Sequence, residues 1–126
     1  MPFDWMEYLT LAQTLAANGD EASKRTAISR AYYFVFHLAY ARAERNCGRK
    51  PQGPPGTHEW CWDKYSKNAD IACRAVGIEG TRLKRLRHDV DYRSSTITRL
   101  DDVCNRVLAD VQQLHANLGG LNPVLP

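Results

Sequence analysis

An all-α fold is predicted, a compact bundle of about five helices forming one domain. Apolar residues recur at three- and four-residue intervals in almost every segment between the Gly and Pro clusters. Alternation of the strand type is missing throughout, as are repeats and low-complexity tracts. With 44% apolar residues over 126 positions, the chain has enough material for one core. The domain is placed at 1–120, with an exposed loop at 48–57 and a loose tail at 121–126.

The first helix opens with Asp4 as N-cap and Glu7 three residues later, with Phe3 and Tyr8 at the two positions of a hydrophobic staple. It continues through Leu11, Ala12 and Leu15 to about Ala17, where Asn18-Gly19 stops it. The second starts near Asp20 and is apolar on nearly every side, from Ala27 and Ile28 to Leu38 and Ala39, before Gly48 ends it. A helix of that kind is central in a bundle. Arg30 and His37 are its outlying polar residues, seven positions apart and so on roughly one face. A lone imidazole on an apolar helix reads first as a core histidine with a hydrogen-bond partner.

Three prolines and two glycines between Arg49 and Gly56 rule out regular structure there. Thr57 is expected to cap a third helix, running through Trp60, Tyr65, Ile71 and Cys73 to Gly77. The spacing of two between Trp60 and Trp62 puts at least one of them in the core. Gly80 introduces a short fourth helix, Thr81 to about Tyr92, with Leu83, Leu86 and Val90 as its buried stripe and the basic residues on its other faces. The last helix has Thr98 and Asp101 in a near capping box, then Leu100, Val103, Val107, Val111 and Leu114 at helical spacing, and ends at Gly119-Gly120.

The formal charge of +3 is local in origin: Arg82, Lys84, Arg85, Arg87 and Arg93 set against Asp89 and Asp91 account for all of it. Such a segment is either a phosphate site or a solvated helix face. Cys47, Cys61, Cys73 and Cys104 lack the close pairing of a zinc site or a disulfide framework, and read as reduced, mostly buried thiols. His58 and Cys61 share a helical face, but no second pair completes a tetrahedral site, so no metal or cofactor is expected. The N-terminal residues lack the pattern of a secretory signal and no apolar run reaches membrane-spanning length, so a cytoplasmic protein without membrane association is expected.

Two segments, Ala27-Ile28-Ser29-Arg30-Ala31-Tyr32-Tyr33-Phe34-Val35-Phe36-His37-Leu38-Ala39 and Leu83-Lys84-Arg85-Leu86-Arg87-His88-Asp89-Val90-Asp91-Tyr92, resemble those of HEPN domains. The resemblance extends from Asp4 to about Leu118. It implies a HEPN-like bundle that dimerises through the helices carrying Arg30 and His37 and Arg87 and Tyr92. In nuclease members of that superfamily an arginine is followed by a polar residue, three variable positions and a histidine. Paired arginines across the dimer hold the scissile phosphate there, and the histidine handles protons as the ribose 2′-hydroxyl attacks, without a metal.

In this chain Arg87 takes the arginine place, His88 the polar place and Tyr92 that of the histidine. A register from Arg82 to His88 keeps a similar spacing but loses the agreement at Asp91-Tyr92. A phenol with a pKa of about 10 is a poor base near neutrality. Tyr92 would instead donate a hydrogen bond to a phosphate oxygen, and His88 would carry protons only if a dimer brought it round. Arg30, Arg82, Arg85, Asp91 and His37 complete the candidate substrate-binding set.

The first function so implied is a metal-independent ribonuclease of toxin or defence type, with Arg87 open to solvent opposite its twin in a homodimer. The alternative is a non-catalytic module binding RNA, a nucleotide or a partner protein. In this superfamily the partner is commonly a nucleotidyltransferase antitoxin, for which Tyr92 would be an acceptor. A third reading is a structural oligomerisation domain in which Arg87, Asp91 and Tyr92 belong to a salt-bridge network.

Overall fold

The computed structural model describes residues 2–126. Among them the secondary structure is five helices and no strand: α1 (Met6–Ala16), α2 (Glu21–Cys47), α3 (Thr57–Ser66), α4 (Ile71–Tyr92) and α5 (Leu100–Gly120). Among the described residues no helix is long and apolar enough to cross a membrane.

α2 is the central element and packs against each of the other four. Its buried residues, among them Ala27, Ile28, Ala31, Tyr32, Phe34, Val35 and Ala39, cover too much of its circumference for one stripe, which is why the segment reads as apolar nearly all round. Asp20 caps it as expected, its carboxylate accepting the Ser23 N–H at 2.8 Å. At α1 the cap is displaced by one residue. Trp5 occupies the cap position, while Asp4 Oδ1 accepts from Met6 N–H at 3.0 Å. The rings of Phe3 and Tyr8 meet edge to face at 5.6 Å, as a staple requires.

The division between the third and fourth helices differs from the expected one. α3 ends at Ser66, and α4 begins at Ile71, capped by Asp70, whose carboxylate accepts from Cys73 N–H at 2.9 Å. Gly77 and Gly80 lie inside α4 rather than between two helices. They are there because α3 packs against this face: a Cβ on Gly77 would collide with the Ser66 backbone, and one on Gly80 with the indole of Trp62. Both tryptophans of α3 are buried, Trp62 almost completely.

Neither threonine cap is formed. Gly56 holds the cap position of α3 without a side-chain bond, and Arg99, in the left-handed conformation, holds that of α5. Asp101 and Asp102 in the first turn of α5 face the positive end of its dipole instead. The segment after α5, expected to lie loose, is tied to α2. Arg42 donates to the carbonyls of Leu118, Leu121, Asn122 and Leu125, and Asn46 to those of Pro123 and Leu125. One guanidinium thus bonds the Leu118 carbonyl in the last turn of α5 together with three carbonyls of the segment that follows it.

Candidate phosphate site on helices α2 and α4

The buried face of α4 carries Leu83, Arg87 and Val90 at helical spacing, so the expected stripe is right at two positions and wrong at the third. Leu86 is only partly buried and Arg87 takes its place. Arg87 is 8% exposed, which corrects the expectation of an open guanidinium. The cause is periodicity: position 87 is four residues from Leu83 and three from Val90, and therefore points where they point, toward α2.

What Arg87 meets there is aromatic. Its Cζ lies 5.5 Å from the ring centroid of Tyr32 and 5.4 Å from that of Tyr33, within range of a cation–π interaction. Asp91, one turn on, has Oδ2 at 3.6 Å from Nη1, too far for a hydrogen bond, and the same oxygen accepts from Ser29 Oγ at 3.2 Å. Among the described residues no nitrogen of Arg87 makes a hydrogen bond, and Nε is buried without a partner. Leaving a buried polar group unpaired costs about 1–3 kcal/mol, more when it is charged.

Arg30, Tyr33 and His37 share one face of α2. The Arg30 Cζ is 5.1 Å from the Tyr33 centroid and 5.0 Å from that of Tyr8, and no ion pair holds it among the described residues. Arg30 and Arg87 therefore attend the same Tyr33 ring. His37 stacks flat on Trp5, centroids 3.5 Å apart, and burial followed by the charge of Arg30 holds its pKa below the usual imidazole value. It is a stacked, half-buried histidine whose partner is the cap residue of α1.

α3 contributes His58, which the sequence marks only through its spacing from Cys61. His58 stacks on Phe36 at 4.0 Å, and its Nδ1 is 2.7 Å from the Tyr32 hydroxyl, which also accepts from Trp62 Nε1–H at 3.0 Å. Burial, then the charges of Arg87, Lys84 and His37, bring its pKa down to about 4. Its ring is 5.9 Å from that of Tyr33, so His58 and Arg87 flank the same pair of phenols. No catalytic or binding motif in the sequence marks His58. It comes to the site because α3 ends at Ser66 and packs over α4, rather than running on to Gly77.

The other expected site residues lie elsewhere. Arg82 donates to Glu79 and to Asp110 of α5, which raise its pKa, the hydrogen bond to Glu79 most. Arg85 lines a shallow cleft of about 230 Å³ with Glu59, Trp62, Asp63, Thr81 and Lys84. Arg93 pairs with Asp89 at 3.3 Å. Tyr92 is 69% exposed and stands beside His88, centroids 4.8 Å apart. Five positions turn a helix by about 140°, so Tyr92 leaves the face that Arg87 occupies, and His88 lies about 100° from it.

The assembled face is cationic and aromatic, with Arg30 and Arg87 opposed by Asp91 and with Lys84 in the neighbouring cleft. A guanidinium that makes no protein hydrogen bond among the described residues, and whose carboxylate neighbour Asp91 stands at 3.6 Å, is suited to an oxyanion. Proton transfer is poorly served: His58 is a weak base at a pKa of about 4, and burial raises the Tyr32 phenol. Among the described residues no group of three or more His, Cys, Asp or Glu side chains is placed to hold a metal ion, and the cysteines are free, three of them buried. Compared with family models, with curated proteins and with solved structures, the chain finds no match.

Proposed function

We propose that this chain is a HEPN-type module that binds RNA or a nucleotide through a phosphate held by Arg87. It works in the cytoplasm as a homodimer joined through α2 and α4. The observation that carries the reading is the Arg87 guanidinium, nine-tenths buried on two tyrosine rings and without a hydrogen bond. An anion supplies the missing acceptors and offsets the cost of burying the charge. Binding is favoured over cleavage because the histidine of the nuclease motif is replaced by Tyr92, which faces away from Arg87.

A second reading, a metal-independent ribonuclease of toxin or defence type, draws on the His88 and Tyr92 pair, two exposed proton-carrying side chains one turn apart. A second subunit would bring that pair to the phosphate. The exposed Tyr92 hydroxyl equally suits modification by a partner nucleotidyltransferase.

Labelled single-stranded RNA, incubated in EDTA with the parent protein and with Arg87→Ala, separates the readings. Retention of RNA without cleavage, lost in the variant, supports the module, and Arg87-dependent cleavage supports the ribonuclease. RNA retained equally by both proteins, or by neither, removes Arg87 as a phosphate site.

A further inference from the structure

We infer that His58 is a further phosphate-binding group of this site, a neutral imidazole that donates its Nε2–H to the anion held by Arg87. The inference rests on the phosphate-binding reading above and adds a residue from a third helix to it.

The argument starts from hydrogen-bond accounting. Trp62 Nε1 is a donor only, so the Tyr32 oxygen accepts at 3.0 Å, leaving the hydroxyl proton of Tyr32 for a second partner. That partner is His58 Nδ1 at 2.7 Å. All three groups are satisfied when Nδ1 is the unprotonated nitrogen, and the ring proton then resides on Nε2. The stack on Phe36 at 4.0 Å and 18° fixes the plane in which that N–H points.

His58 and Arg87 share the two tyrosines as neighbours. The His58 ring is 5.6 Å from Tyr32 and 5.9 Å from Tyr33, and the Arg87 carbon is 5.5 and 5.4 Å from the same two rings. The groups facing His58 are Arg87 and Lys84 from α4 and His37, Tyr32 and Tyr33 from α2. The first three act on its ionisation in one direction, against a second positive charge. An imidazole kept neutral donates one directed hydrogen bond without adding to the repulsion between Arg87 and Lys84, and Nε2 has no protein partner among the described residues. A phosphate oxygen supplies one.

The test uses imidazole nitrogen resonances and two isosteric variants. In the free parent protein, His58 is expected as the Nε2–H tautomer from pH 5 to 8, and single-stranded RNA or AMP is expected to shift Nε2 but not Nδ1. An RNA response without an AMP response assigns the anion to a polynucleotide, and the converse to a nucleotide. His58→Gln places an amide nitrogen near the position of Nε2 and should bind within about twofold of the parent. His58→Asn keeps an acceptor for Tyr32 near Nδ1, loses the outer donor, and should bind about tenfold more weakly.

The opposite tautomer, or an unmoved Nε2 at saturating ligand, overturns the inference. So does equal binding by the Asn variant and the parent. If Arg87→Ala still fails to bind in that case, the phosphate reading survives and only the role of His58 falls.

Discussion

The indole of Trp62 lies directly over the α-carbon of Gly80, leaving no space for even a methyl group. A glycine inside a helix costs up to about 1 kcal/mol relative to alanine, so the exchange would ordinarily stabilise. Here Gly80→Ala should destabilise by about 1–3 kcal/mol, because the ring or the helix has to move. Urea denaturation reads the sign directly, and a gain in stability would mean that α3 is not seated on α4.

Arg87→Met is expected to have opposite effects on stability and binding. Removing a buried guanidinium that lacks hydrogen bonds should raise the unfolding free energy by about 1 kcal/mol, while retention of RNA is lost. Denaturation and a filter-binding assay on the same preparation check both halves.

Arg82→Ala serves as the contrasting variant. Its guanidinium is bound to Glu79 and Asp110 on the side of α5, so RNA affinity should change by less than about twofold, surface ion pairs being worth about 0–1 kcal/mol. A large loss of affinity would relocate the site to the α4/α5 side.

Stability should fall as the solution is acidified through the window set by His58. Its pKa is about 4 in the folded chain against 6.5 ordinarily, so between those values the unfolded chain binds more protons. Unfolding free energy therefore rises with pH across the window, and the stability present above pH 6.5 is progressively lost toward pH 4. His37, also lowered, acts in the same sense. Urea midpoints from pH 7.5 to 4.5 measure the slope, which His58→Gln should flatten.

Arg42→Met should release the segment after α5. Four hydrogen bonds to carbonyls are lost and the Leu121 carbonyl is left without a donor, and a loss of about 2 kcal/mol is expected. Hydrogen exchange would show the backbone amides of Leu121 and Leu125 losing protection while those of α2 keep theirs.

Much of the fold was legible because helical periodicity and caps are local. Asp20, the loop after Gly48 and the stripe from Val103 to Leu114 could be read directly. The division between α3 and α4 was not, because Gly77 and Gly80 look like punctuation in one dimension and become packing surfaces in three. The true start signal was Asp70, three residues before Cys73, in a stretch without proline or glycine. For the site, Arg87 and Asp91 were named through the resemblance and Arg30 and His37 through their shared helix face; Arg30, Arg87 and His37 lie beside the Tyr33 ring, and Asp91 lies beside Arg87 and Ser29. The burial of Arg87 followed from its register with Leu83 and Val90, which its charge obscured. His58 was out of reach, since its neighbours come from α2 and α4.

The clasp between Arg42 and the last turn of α5 fixes where any polypeptide joined after Pro126 departs. Arg42 is twelve residues beyond Arg30, about 18 Å along the α2 axis, and Pro126 rests beside Cys47 at the far end of that helix. A label or fused domain appended there emerges well away from Tyr33. One attached before Phe3 starts next to the stacked Trp5 and His37 rings and would crowd the arginine face.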